Sequence, residues 1–230
     1  MTTVRPVDEE YDRIRASVLG MGGLVEEMME KAGRALASRD TDLAASVVRA
    51  DRQVDTTEKL VDELCRSILA RQQPLAVDLR FLVAAMKITT DLERVGDLAG
   101  NIGRSVLELC RFPQQPLSRA VGGLFQESRR MLADSLDAFV RRDSELARDV
   151  WSRDDAYDAQ YHEVIERLLQ AGESDPKAVA PTFQLILIGR SLERMADHAT
   201  NIAEDVIYYV EGIDIRHSAT DYGDSEGNAR

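Results

Sequence analysis

Apolar residues recur along this chain at steps of three and four. Tyr11, Ile14, Val18, Met21, Val25, Met28, Ala32 and Ala35 form one stripe. Leu43, Val47, Ala50, Val54, Val61, Leu64 and Ile68 form a second. Phe81, Ala85, Ile88, Leu92, Val95, Ala99, Ile102, Val106 and Leu109 form a third. Residues so spaced share one face of an α-helix, and each stripe is a seam to be buried against another helix. The pattern breaks at Arg39-Asp40, at Gln72-Gln73-Pro74, at Phe112-Pro113-Gln114-Gln115-Pro116 and at Gly172-Glu173-Ser174-Asp175-Pro176. Proline stops a helix at the last three, and at the first Asp40 or Thr41 can cap the next helix. The spacing predicts helices near 7–38, 41–71, 75–111, 117–142, 144–171 and 177–211. At about 1.5 Å per residue the longer ones run to roughly 50 Å. The fold class is all-α.

The chain also repeats itself. Asp91-Leu-Glu-Arg-Val-Gly-Asp-Leu-Ala-Gly-Asn-Ile102 returns as Ser191-Leu-Glu-Arg-Met-Ala-Asp-His-Ala-Thr-Asn-Ile202, with seven of twelve positions identical. Upstream, Asp40, Leu43, Ala44, Val47, Asp51 and Asp55 match Asp143, Leu146, Ala147, Val150, Asp154 and Asp158. Each half therefore supplies three helices. The expected organisation is a three-helix bundle over 1–112, a second over 113–212, and a mobile acidic tail over 213–230.

Composition narrows the function. The 230 residues carry 41 acids against 29 bases, for a net charge of −12. That balance argues against a nucleic-acid partner, which needs a basic footprint. Cys65 and Cys110 have no spaced partner, so they make neither a disulfide framework nor a zinc signature. The N-terminal MTTVRPVDEEYDR is too polar for a secretory leader, and no apolar run reaches the roughly 18 residues of a membrane span. A soluble, cytoplasmic protein is expected.

The candidate chemistry lies in the repeated acids. Each half has two acidic pairs spaced by four: Asp51/Asp55 and Glu93/Asp97, then Asp154/Asp158 and Glu193/Asp197. Such pairs share a helix face, and like charges there destabilise a helix by about 0.2–0.5 kcal/mol. Glu58 and Asp62 extend the first stripe. Any one pair reads most simply as a solvated acidic face. Recurrence at matched positions of both halves favours a cation site, and oxygen-only ligands suit Mg, Ca, Mn or iron. A di-iron oxidase is disfavoured, because no Glu has a His three residues on.

His198 follows Asp197 directly, with Leu98 at the matching place; it is a candidate ligand or a hydrogen-bonded surface His. Asn101 and Asn201, four residues past Asp97 and Asp197, either complete a site or cap a polar network. Arg94 and Arg194 should point about 100° away from the acids and form surface ion pairs. Gly22-Gly23 and Gly122-Gly123, inside helices, point to close packing. No phosphate-binding glycine loop, nucleophile elbow or Cys/His dyad is present in the sequence.

The stretch Arg190-Ser-Leu-Glu-Arg-Met-Ala-Asp-His-Ala-Thr-Asn-Ile-Ala-Glu-Asp-Val-Ile-Tyr-Tyr-Val-Glu-Gly212, running on to Arg216-His217, resembles the PhoU family of phosphate-transport accessory and regulatory proteins. Asp91-Leu-Glu-Arg-Val-Gly-Asp97 with Asn101-Ile102 is similar to the family's amino-terminal copy, and the resemblance spans roughly 8–217. It implies two three-helix bundles with acidic motifs that bind metal, iron in multinuclear sites above all, with Zn, Mn or Mg as alternatives. The family's E(D)-x-x-x-D pairs fall on Glu93/Asp97 and Glu193/Asp197, with Asp51/Asp55 and Asp154/Asp158 on the neighbouring helices. It further implies a homodimer without enzymatic activity. Such a protein relays the state of the Pst phosphate ABC transporter, through its ATPase subunit, to a PhoR-type sensor histidine kinase. The relay represses the Pho regulon when phosphate is plentiful and restrains phosphate uptake. The alternatives are a metal-dependent phosphatase or hydrolase using the same carboxylates, an accessory protein of another phosphate permease, or a bundle without metal.

Overall fold

The computed structural model of the chain describes residues 6–114 and 118–216. The part of the acidic tail from 217 onward lies outside the described residues. The elements are α1 (Pro6–Ser38), α2 (Thr41–Gln72), α3 (Ala76–Leu109), α4 (Ser118–Arg141), α5 (Ser144–Ser152), α6 (Asp154–Ser174) and α7 (Val179–Glu211). Among the described residues no strand is present, and no helix is long and apolar enough to cross a membrane.

Helix starts follow local chemistry. Asp40 accepts from the Leu43 amide at 2.9 Å, and its repeat counterpart Asp143 accepts from the Glu145 and Leu146 amides. Each side chain satisfies amides that have no partner inside the helix. Each is preceded by a left-handed arginine, Arg39 (φ 58°) or Arg142 (φ 53°), so the turn between first and second helices is itself duplicated. Arg39 also donates to the carbonyls of Leu109, Cys110 and Phe112, closing the end of α3.

One element differs from expectation. The helix expected over 144–171 is divided at Arg153, which separates α5 from α6. Arg153 keeps helical angles, and its guanidinium pairs with Asp134 on α4 and Asp149 on α5. Ala50 of the first repeat, at the matching position, sits inside an unbroken α2.

The helices of each repeat (α1–α3 in the first, and α4 and α7 with the divided α5–α6 in the second) pack together, and the repeats join through α3 against α7 and α1 against α4. α2 touches only α1 and α3, while α6 touches only α4, α5 and α7. The first stripe from Ile14 to Ala35 and the third from Phe81 to Leu109 are buried in one core that crosses both repeats. At one end Tyr11, Phe81, Phe139 and Tyr209, one each from α1, α3, α4 and α7, meet with ring centres 5.5–6.0 Å apart. Edge and offset ring contacts of this kind add to the area they bury. Gly22 supplies close packing: a Cβ there would lie 2.7 Å from Leu136 of α4.

Candidate metal centre

The residue spacing that builds the helices also places the acids. Asp51 and Asp55 follow the buried apolar row of α2, and Glu93 and Asp97 that of α3, so the four line the α2–α3 seam. Asp154 and Asp158 of α6 meet Glu193 and Asp197 of α7 in the same way. In this second group, carboxylate oxygens of Asp158, Glu193 and Asp197 lie within 4.8 Å of one another.

Crowding and loss of water make Asp51, Glu93, Asp154, Glu193 and Asp197 reluctant to ionise. The Asp197 carboxyl is pushed up to about 6, first by burial and then by Glu193, Asp154 and Asp158, with His198 opposing. Glu193 is raised by burial and by Asp158, against Arg190, Arg194 and His162. In the first group Asp51 is raised by burial, then by Asp97 and Asp55, with Arg104 opposing. Glu93 is raised by burial, Asp97, Asp55 and Glu58, against Arg94. Asp51 Oδ1 is buried without a hydrogen-bond donor.

An orphaned carboxylate oxygen beside a second carboxylate is what a cation would satisfy, and oxygen donors at such spacing suit a hard or borderline divalent ion. The residues fit the metal that the family resemblance implies. Asp158, Glu193 and Asp197 would hold it in the second seam. Among the described residues no three of Asp51, Asp55, Glu93 and Asp97 bring carboxylate oxygens as close together, so the first seam would close on a cation only by turning its side chains inward.

The other candidates take distinct places. Asp154 is held off to the side, accepting from Thr200 Oγ1 of α7 at 3.0 Å. His198 donates Nδ1–H to Asp91 Oδ1 of α3 at 2.8 Å, so this hydrogen bond, rather than the acid group, orients its ring. Asn101 is exposed and accepts from Arg104 at 2.7 Å, the polar-network reading. Asn201 is exposed and lines a shallow groove of α3 and α7 with Lys87, Asp91 and Asp205. Glu58 reaches the first group only through its charge on Glu93.

Arg94 departs from its expected direction. Its long side chain folds back, placing Nε 3.4 Å from Glu93 and Nη1 3.9 Å from Asp97. Two residues were missed by sequence reasoning. Thr200 orients Asp154, and its signal was its standing where the first motif has Gly100. His162, one turn past Asp158, bonds the Asp158 carbonyl through Nδ1 at 2.7 Å, and its charge bears on Glu193. Continuing the four-residue step from Asp154 and Asp158 would have found it.

A duplicated three-helix unit with one carboxylate seam per unit is the class that fold and site define. The PhoU domain family matches residues 18–106 and 121–206. The chain is 40% identical over 209 residues to the phosphate-specific transport system accessory protein PhoU homolog of Pseudomonas putida, covering 90% of this chain and 82% of that one. It is 36% identical over 212 residues to the phosphate-specific transport system accessory protein PhoU of Escherichia coli K12, covering 92% and 88%. The crystal structure of PhoU from Pseudomonas aeruginosa superposes with a TM-score of 0.87 at 39% identity, covering 90% of this chain and 99% of that one. The phosphate transport system regulatory protein PhoU from Streptococcus pneumoniae gives 0.84 at 30% identity, covering 90% and 98%. This chain belongs to the PhoU family.

Proposed function

We propose that this protein is a cytoplasmic, metal-binding accessory protein of phosphate-specific transport that acts by contact rather than catalysis. As a homodimer it engages the ATPase subunit of the Pst transporter and a PhoR-type sensor histidine kinase, and it represses the phosphate-starvation regulon when phosphate is plentiful. The observation that carries this reading is the duplicated carboxylate seam in a chain so similar to proteins named for that system.

A bound cation, iron foremost, would supply charge neutralisation and cross-linking of the carboxylates. The chain's own part is to hold α2 against α3 and α6 against α7, presetting the outer surfaces for a partner. Such a protein regulates only as far as it prefers one partner state over another. The rival hydrolase reading needs a substrate cavity at the acids. The 1220 Å³ groove between α1 and α4 has no residue of either seam in its lining.

The test is a phosphate-starvation reporter, alkaline phosphatase, in the host with the gene deleted and phosphate abundant. High expression that falls when the wild-type gene is restored supports the reading, and unchanged low expression overturns it. Turnover of phosphate esters by the purified, metal-loaded protein would favour the hydrolase.

A further inference from the structure

Helices α1 and α4 meet tightly where Gly22 faces Leu136, then leave a groove of about 1220 Å³ toward the end of α1. Its charge runs against that of the molecule. Arg34, Arg39, Arg119 and Arg129 line it with a single acid, Glu30, for a local balance of +3 in a chain of net −12. Arg39 is committed to the carbonyls at the end of α3. Arg34, Arg119 and Arg129 are exposed, and Glu30 meets only Arg129, loosely, at 3.7 Å.

The floor is as unusual as the rim. Gly122 lies inside α4, where a glycine is costly relative to alanine. No packing explains it: a Cβ there would meet nothing within 4 Å. Gly33 opposes it from α1, close against the Phe125 ring. The Phe125 ring covers Gly33, so the bare backbone on which a ligand can approach closely is that of Gly122.

We propose that this groove binds a phosphate-chain anion, a nucleoside polyphosphate or an inorganic polyphosphate, with its phosphates on Arg34, Arg119 and Arg129. Guanidinium forks match phosphate oxygens two at a time. Arg119 and Arg129 stand ten residues apart on α4, about 15 Å along the axis. Spread over that length of groove, the guanidinium groups offer successive contacts to a chain of phosphates or to a nucleotide. An acidic helical peptide would need exposed apolar anchors. The large apolar lining residues Met29, Leu36 and Phe125 are buried, so the exposed side chains of the lining are those three arginines, Glu30, Ala37, Gln114 and Gln126, with no large apolar anchor point among them. The inference does not rest on the metal reading.

The experiment is calorimetric titration of the full chain, treated with chelator so that no phosphate binds through a metal, with ATP, ADP and inorganic triphosphate in turn. Gly122→Leu fills the floor from an open position, so it should fold and melt at or above the wild-type temperature. Arg34→Ala/Arg119→Ala removes two of the forks. The expected result is one ligand per chain, weakened about tenfold or more by either variant. ATP binding more tightly than triphosphate places a base on the glycine floor, and equal binding assigns the groove to the phosphate chain alone. Silence with all three probes, or binding that both variants leave unchanged, would overturn the proposal. So would an acidic helical peptide that displaces every phosphate probe from the groove.

Discussion

His198 on α7 donates its Nδ1–H to Asp91 on α3 at 2.8 Å, and each is a position where one repeat departs from the other. Ser191 stands in the place of Asp91, and Leu98 in the place of His198. The nearby bond from Lys87 to Asp205 obeys the same rule, with Leu187 and Ser105 as the repeat equivalents. The α3–α7 contact is thus polar on one side of its pseudo-axis, while Leu98, Ser105 and Ser191 are buried. At these four positions the repeats diverge in matched partners.

This gives a direct double-mutant test. His198→Leu leaves Asp91 half-buried and unpaired, and should lower unfolding stability by about 1 kcal/mol. Asp91→Ser/His198→Leu installs the pair already used at the repeat-equivalent positions and should recover most of that loss. Urea unfolding of the wild type, His198→Leu, Asp91→Ser and the double variant measures it.

The second seam sets a pH dependence. Asp197 has a folded-state pKa near 6, above its ordinary 3.8, so the folded chain holds a proton there that the unfolded chain releases. Its contribution is greatest below about 4 and is lost as pH rises through about 6. Metal-free protein should therefore melt at a lower temperature at pH 7 than at pH 5, and Asp197→Asn should flatten that slope. Added Mn or Fe should raise the melting temperature at pH 7 and much less at pH 5, where protons compete for the carboxylates. Melting curves at the two pH values, with and without metal, check both halves.

In the first seam the orphaned Asp51 Oδ1 makes an opposite pair of expectations. Asp51→Asn replaces a reluctant charge with an amide able to donate to Asp97. Metal-free stability should rise by up to about 1 kcal/mol, because a partly desolvated charge facing Asp97 and Asp55 is removed while the amide can donate to Asp97. Metal content by elemental analysis should fall by the share of the first seam.

Glycines separate packing from mere tolerance. A Cβ at Gly103 would lie 2.9 Å from the Ala44 backbone oxygen of α2 and 3.1 Å from Val48, so Gly103→Ala should destabilise by about 1–3 kcal/mol. At Gly23 nothing lies within 4 Å, and Gly23→Ala should stabilise α1 by about 0.5–1 kcal/mol. Thermal unfolding of the two variants should move in opposite directions.

The fold was legible because helix periodicity is a local property. Val18, Ile88 and Ile102 announce a buried face by their spacing, and all are fully buried. The break at Arg153 was not legible: the residue keeps helical angles and lacks the signature of proline or glycine, being drawn to Asp134 on another helix. The acids of the seams could be read because duplication marks them twice. The link from Thr200 to Asp154, and the folding of Arg94 onto Glu93, depend on side-chain reach and on neighbours distant in sequence. The resemblance of His198 to a ligand came from its adjacency to Asp197, and its partner Asp91 lies 107 positions away.

Because α3 and α7 carry acids on their outer sides and clasp each other on their inner sides, neither seam has a scaffold of its own. Each one's ligands hang from a rod that is also the other's foundation. A shift of α3 by a fraction of a turn would misalign Glu93 and Asp97 and, through the ring cluster at Phe81 and the clasp of His198 on Asp91, tug on the helix that bears Glu193 and Asp197. Two carboxylate groups that look like independent copies therefore stand on helices packed directly against each other, and a change in the seat of one helix is a change in the seat of both.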